Sequence, residues 1–487
     1  MMTGHSVEKI GGTSMAATKT VFDNVLIGDR KGADLYGRMF VVSAYAGITD
    51  LLLDHKKSGE PGVYGHFTSD DADAPWGAAL ETVGDTMKAR NAEMFADKTS
   101  LAEANQFVDE RIEGMRICLE DLDRLRAHGQ FLLTEPLATV REMLSGLGEA
   151  HSAHSTALLL RDRGVNAVFV DLTGWADGDD GWGETHMPTL DERISKALET
   201  IDVENTLPII TGYAASKAGT VRRYDRGYSE IIFSRLAVLS DAREAIIHKE
   251  FHLSSADPRL VGPEHARKIG RTNYDVADQL ANLGMEAIHP GAGQGLRQAG
   301  IALRVRNTFD REDGGTLICG DYVSDNPRVE IITGMRSVYA LQFFEQDMVG
   351  EKGFDSAILE VLARHKAWIV SKSSNANTIT HYLNTKPANL RRVISDLETR
   401  FENAAISAQT VAMVSVIGSD ISKPGLVAEA LVALHEAGIE VMGMQYQIRN
   451  VDVQFIISAK EFDAAVRCLH DALVLEDNGS SAKSKAA

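Results

Sequence analysis

Val7-Glu8-Lys9-Ile10-Gly11-Gly12-Thr13-Ser14 reads as a short strand that runs directly into a glycine-rich turn. Such a turn suits an anion. Glycine has no Cβ, so backbone N–H groups can close on a phosphate, while Thr13 and Ser14 add hydroxyl donors and can cap a following helix. Lys9 supplies a point charge for a phosphoryl group whose negative charge spreads over its oxygens. A plain strand-turn-helix corner accommodates the same residues, so the remainder of the chain decides.

Beyond this corner, short runs rich in Val and Ile at 39–43, 167–171, 208–211, 245–248 and 302–305 alternate with helix-like stretches at 18–26, 144–161, 229–239 and 274–283. Near-continuous hydrophobicity over so few residues marks strands buried on both faces of a parallel sheet. Residues up to about 320 therefore predict an α/β fold, an open sandwich with a mostly parallel central sheet. The turn-rich stretches 55–80 and 177–183 read as polar loops.

After Gly314-Gly315-Thr316 the pattern changes: strand, helix, strand, strand and helix follow one another twice, a repeat of about 75 residues. The expected division is a catalytic domain over 1–320, two α+β units over 321–404 and 405–475, and a small, polar, disordered tail over 476–487.

At 487 residues the chain exceeds one ordinary core. No run of eighteen apolar residues occurs, and the start lacks the apolar core of a signal peptide, so a cytoplasmic protein is expected. Cys118, Cys319 and Cys468 lie far apart and suggest neither a disulfide framework nor a thiolate metal site; no metal-ligating residues are assigned. The formal charge of −19 argues against nucleic-acid or anionic-membrane partners. It also opposes ATP, unless a local group of Lys and Arg reverses the field.

The chain has no G-x-x-x-x-G-K-[ST], and 291–295 lacks the spacing of a dinucleotide fingerprint. Other stretches are candidates. Val41-Val42-Ser43-Ala44 through Gly47-Ile48-Thr49 ends a buried strand in small residues, which leaves room for a ligand. Gly148-Glu149 places a carboxylate where it could receive an ammonium group, or where it merely complements a helix dipole. Arg222-Arg223-Tyr224-Asp225-Arg226-Gly227-Tyr228-Ser229-Glu230 aims cations at a helix start. His248-Lys249-Glu250 and Ala256-Asp257-Pro258-Arg259 are again cationic, so that Lys9, Arg226, Lys249 and Arg259 together could form the field that ATP requires.

Taken in order, these stretches resemble the aspartate kinases over nearly the whole chain. Lys9 to Ser14 is similar to the family's K-F-G-G-T-S, Val42 to Thr49 to V-S-A-x-x-G-x-T, and Gly148-Glu149 to F-G-E. Asp225 to Glu230 is similar to G-R-G-G-S-D and Ala256 to Arg259 to T-A-D-P-R, while the C-terminal repeat resembles paired ACT domains. The resemblance implies transfer of the γ-phosphoryl group of ATP, with Mg²⁺, to the β-carboxylate of L-aspartate. Lys9 and Glu230 would be catalytic, and Gly11, Gly12, Thr13 and Ser14 would cradle phosphate. Ser43, Thr49, Glu149, Arg226 and Ser229 would hold aspartate, and Lys249 and Arg259 would lie near the nucleotide.

ACT units imply a homodimer or larger homo-oligomer. The runs Glu8 to Met15 and His248 to Pro258 resemble the ectoine-branch members in particular. Departures concentrate on the nucleotide side, where the family's G-A-K reads Gly284-Met285-Glu286 and the last residue of G-R-G-G-S-D is Glu230. A relative acting on glutamate, acetylglutamate or carbamate is one alternative. A catalytically weak amino-acid sensor on the same fold is another.

Overall fold

The computed structural model describes residues 4–55, 58–69, 75–175, 187–224, 227–285 and 287–475. They divide into two compact units: Met1–His252 with Ile288–Gly320, and Leu253–Ala287 with Asp321 onwards.

In the first unit seven strands are β1 (Ser6–Ile10), β2 (Arg38–Val42), β3 (Ala167–Val170), β4 (Leu207–Thr211), β5 (Glu244–Lys249), β6 (Ala302–Asn307) and β7 (Thr316–Cys319). Their order is β3-β4-β2-β1-β5-β6-β7. Neighbours are parallel as far as β6, and β7 returns antiparallel. The sheet is thus mostly parallel, as the apolar runs predict. Lys9 sits level with Val41 on one side and Ile247 on the other. The chain leaves β1 for β2 on one flank and later reaches β5 on the opposite flank, so the carboxyl edge of β1 is a switch point with an open crevice.

All five residues of β1 are buried although two are charged. Side chains alternate across a strand, so Glu8 and Lys9 face opposite layers and each needs its own partner. Glu8 Oε2 lies 2.7 Å from His248 Nε2, and its other oxygen accepts from Ser6 Oγ at 3.1 Å. Burial opposes ionisation of Glu8, but His248 and then Arg38 and Arg30 outweigh it and hold the carboxyl at about 2. Removing one member of a buried pair strands the other, so Glu8→Gln is expected to cost about 3 kcal/mol of stability at pH 7. The wild type should lose this contribution as pH falls from about 4.5, the ordinary value, through about 2. Melting of both proteins between pH 7 and pH 3 checks this; a gap that does not narrow in acid would contradict it.

The stretch expected as a loop over 55–80 contains the helix Val63–Phe67, and Trp76 begins a 19-residue helix, Trp76–Met94. A 29-residue helix, Lys98–Arg126, follows. Both are amphipathic: Leu80, Val83, Met87 and Asn91 are buried on one, and Ser100, Ala104, Val108, Ile112, Met115 and Leu119 on the other. The helix carrying Glu149 starts at Thr134, earlier than expected, and runs to Asp162. The stretch 177–183 lies outside the described residues, as does the tail 476–487.

The second unit is built on β8 (Ile331–Phe344), β9 (Trp368–Ser374), β10 (Thr378–Asn384), β11 (Ala405–Ile417), β12 (Gly443–Tyr446) and β13 (Asp452–Ile457). These form one antiparallel sheet in the order β9-β10-β8-β11-β13-β12, with the two sequence repeats joined through β8 and β11. The sheet curls until its outer strands meet, where Ser371 Oγ donates to Gln445 Oε1 at 2.9 Å.

Residues 253–287 cluster with this second unit. Val276 and Leu280 of the helix Tyr274–Asn282 share a core with Val338, Val370, Met413 and Ile456, and Asn282 Nδ2 donates to Val370 O at 2.8 Å.

Candidate active site

Three strands release their chains at the same edge. After β1, Gly11 precedes a five-residue helix, Gly12–Ala16. Gly12 is required there, because a Cβ would stand 2.7 Å from the carbonyl oxygen of Ala44. That short distance joins the loop after β1 to the loop after β2. Ser43 N strengthens the join by donating to Ile10 O at 3.2 Å.

Glu230 lies in the first turn of the helix Tyr228–Leu239, which starts from Gly227 at φ +89°. Its Oε1 accepts from Lys9 Nζ at 3.5 Å and from Lys249 Nζ at 3.1 Å, and its Oε2 accepts from the backbone N–H of His289. Burial alone would raise the Glu230 pKa; Lys9, Lys249 and the His289 amide reverse that and bring it to about 2. Burial also lowers the Lys9 pKa, with Glu230 as the main opposing influence. Two ammonium groups thus share one carboxylate at this edge, a local concentration of cations in an otherwise acidic chain, with Glu250 also close enough to act on Lys9.

Beside this group lies a second one. Ser229, next to Glu230, has its Oγ 3.1 Å from Ser43 Oγ. Glu149 Oε1 accepts from Tyr228 OH at 3.0 Å, while Glu149 Oε2 is buried with no hydrogen-bond partner among the described residues. A buried unpartnered carboxylate oxygen is costly and marks a place for a donor. Burial raises the Glu149 carboxyl to about 7 against the lowering effects of Tyr228, of the nearby backbone N–H groups of Glu149 and Ala44, and of Lys9. The close packing has a cause in the sequence: a Cβ at Gly148 would lie 2.7 Å from that of Ala44.

The remaining candidates fall as follows. Gly11 is half-buried and Thr13 exposed at the turn. Ser14 is fully buried, and its hydroxyl donates to Glu250 Oε1 at 2.8 Å and accepts from Thr308 Oγ1 at 3.0 Å, which braces the turn from below. Thr49 is half-buried on the helix Ile48–Leu52. Arg226 lies outside the described residues, as does Glu286. Arg259 belongs to the second unit, where it is largely exposed and its Nη2 lies 2.6 Å from Asp257 Oδ2.

Tyr228, His289, Glu250 and Thr308 are the members that motif reading does not assign. Tyr228 and Glu250 adjoin assigned residues in sequence, but the role of His289 rests on its backbone and could not be read from residue type.

Of metal-ligating groupings among the described residues, His252 with Asp310 and Asp313 is compact. Asp310 addresses Nε2 at 3.2 Å and Asp313 addresses Nδ1 at 3.6 Å. Carboxylates on different ring nitrogens clamp an imidazole and do not converge with one nitrogen on an ion.

The model of the amino acid kinase family matches residues 6–307. An aspartate kinase, Ask_Ect, of Stutzerimonas stutzeri (strain A1501) is 48% identical over 97% of this chain and 98% of its own length. An aspartokinase of Geobacillus stearothermophilus is 26% identical over 78% of this chain and 95% of its own. Among solved structures, Escherichia coli aspartokinase III with lysine and aspartate (T-state) aligns with a TM-score of 0.71 at 19% identity, over 96% of this chain and 99% of that one. The same enzyme with aspartate and ADP (R-state) aligns at 0.70 and 20%, over 96% and 100%; at these identities the likeness is one of fold. No described helix is long and apolar enough to cross a membrane. The match over residues 6–307, together with a relative of 48% identity along nearly the whole chain, places this protein in the amino acid kinase family, among its aspartokinases.

Proposed function

We propose that the chain is an ATP-dependent aspartate kinase, forming 4-phospho-L-aspartate and ADP. The observation that carries this is the contiguity of the two groups: a carboxylate with a free buried oxygen and paired hydroxyls on one side, and two lysines held by Glu230 on the other. Ser229 and Glu230 are adjacent on one helix, so amino acid and phosphate are offered neighbouring places.

Glu149 receives the ammonium group of aspartate, and Ser43, Ser229 and Thr49 contact its polar atoms, with Arg226 as the proposed partner of the α-carboxylate. The β-carboxylate has a pKa of about 4 and is ionised at neutral pH, so its attack on phosphorus needs no general base. It needs neutralisation between two anions and in-line placement. Lys9 supplies the charge, with Lys249 beside it; Glu230 keeps both ammonium groups aimed at the edge. Gly11, Gly12 and Thr13 present backbone and hydroxyl donors. Lys249 and Arg259 are proposed on the nucleotide side.

Mg²⁺, when bound, would supply neutralising charge to the phosphates. Glu250 suits that ion: it forms no ion pair among the described residues, whereas Glu230 is fully engaged.

The two repeats are proposed as ACT-like regulatory units through which chains pair into a homodimer or larger assembly, and the compartment as the cytoplasm. Assignment to the ectoine branch is supported by the runs Glu8 to Met15 and His248 to Pro258.

The test is ADP release with L-aspartate, L-glutamate, N-acetylglutamate and carbamate, with hydroxylamine trapping of the acyl phosphate. Aspartate alone should release ADP and yield a hydroxamate. Aspartate binding without any hydroxamate would favour the sensor.

A further inference from the structure

Arg90 is buried in no motif, yet it touches both loops of the site. It sits on the helix Trp76–Met94 and donates from Nη2 to the carbonyl of Ala16 and, at 3.0 Å, to Thr18 Oγ1. Ala16 ends the short helix after Gly11, where a carbonyl has no partner within its own helix. The guanidinium carbon also lies 5.1 Å from the ring centroid of Tyr45, between Ser43 and Thr49 in the loop after β2. Glu93, one turn along, holds the other arm of the fork at 2.7 Å.

The same helix fixes Tyr45 from two further directions. Tyr45 OH donates to Met94 Sδ at 3.3 Å, and its ring meets the edge of His151, whose Nε2 lies 2.8 Å from Asn91 Oδ1. One helix face therefore grips the phosphate loop by its trailing end and the substrate loop by its aromatic ring.

We propose that Arg90 is a positioning residue for phosphoryl transfer, setting the separation of the loop after β1 from the loop after β2; this rests on reading those loops as the phosphate and aspartate sites. The loops leave different strands, and the bond from Ser43 N to Ile10 O joins them at their base. In-line attack requires reacting atoms about 3–3.5 Å apart, so a small drift between the loops is felt in rate more than in binding. A planar guanidinium can donate in its plane and stack on a ring together, which an ammonium group cannot reproduce.

Steady-state kinetics of Arg90→Met and Arg90→Lys beside the wild type test this. Arg90→Met should lower kcat about 10- to 100-fold with KM for aspartate and ATP changed less than about threefold. Arg90→Lys, which keeps charge but loses the fork, should recover only a minor part. Leu119→Ala, which removes a buried side chain from the neighbouring helix Lys98–Arg126, serves as the packing control: it should lower Tm and keep kcat. Full kcat in Arg90→Met would overturn the proposal, as would an equal loss of kcat in Leu119→Ala. A wild type that forms no aspartyl phosphate would instead overturn the functional reading itself.

Discussion

Lys9→Met is expected to lower kcat about 10³-fold while leaving Tm unchanged or raised. A preorganised cation aimed at developing phosphoryl charge is worth about 4 kcal/mol in the transition state, and Lys249 alone remains when Lys9 is gone. The stability half of the expectation has the opposite sign. Lys9 is 6% exposed and its pKa is lowered from 10.5, chiefly by burial, with Glu230 only partly restoring it. A lowered pKa means that the charged form is less favoured in the folded chain than in the unfolded one, so an uncharged side chain of similar length removes a cost. Glu230 is not stranded by the change, because Lys249 and the His289 amide still hold it. Phosphoryl-transfer assays and melting of the same samples read both quantities. More than a tenth of the wild-type kcat would remove Lys9 from the phosphoryl group, and a large fall in Tm would make it a structural lysine.

That opposition explains which parts of the site could be read in advance. The strands β2, β4 and β5 are short, nearly continuous apolar runs with turn residues at their ends, and a buried parallel sheet leaves little other use for such runs, whereas β1 carries Glu8 and Lys9 and is legible through the glycine turn that follows it. Gly12, after β1, meets the backbone of Ala44 too closely for a Cβ, and Gly148, on the helix Thr134–Asp162, meets the Ala44 side chain too closely for one, so the sterics of the site are written as residue types. Partners are not written that way. Glu230 could be recognised as a first-turn acid, but its binding of two lysines from β1 and β5 depends on strand order, which no local pattern encodes.

The helices Trp76–Met94 and Lys98–Arg126 show the reverse case. Their buried stripes recur at three- and four-residue steps and were open to reading, but the loop-like composition of 55–80 draws attention away from Trp76 onward. The segment 253–287 is harder still. Its helix Tyr274–Asn282 is amphipathic and legible as a helix, but no local pattern encodes the second-unit core that takes Val276 and Leu280.

Glu149→Gln is the second large effect: KM for aspartate should rise about 100-fold, or about 2.8 kcal/mol, and an acid limb should vanish from the pH profile. In the wild type burial raises this carboxyl to about 7, so the ammonium-binding form is lost as pH falls through that value. The profile of kcat/KM for aspartate reports the free enzyme and should drop about tenfold per unit below about pH 7. Aspartate's own β-carboxyl, with a pKa of about 4, does not titrate there. The glutamine variant, neutral at every pH, should be flat across the same range. Stability supplies an independent sign. A carboxyl whose folded pKa lies above the ordinary 4.5 favours the fold when protonated, so the wild type should lose stability as pH rises from about 4.5 to about 7, and Glu149→Gln should melt higher than wild type at pH 8. An acid limb that survives in the glutamine variant would assign the titration to another group. An unchanged KM beside it would take the substrate's ammonium group away from Glu149 and leave its free oxygen without a ligand.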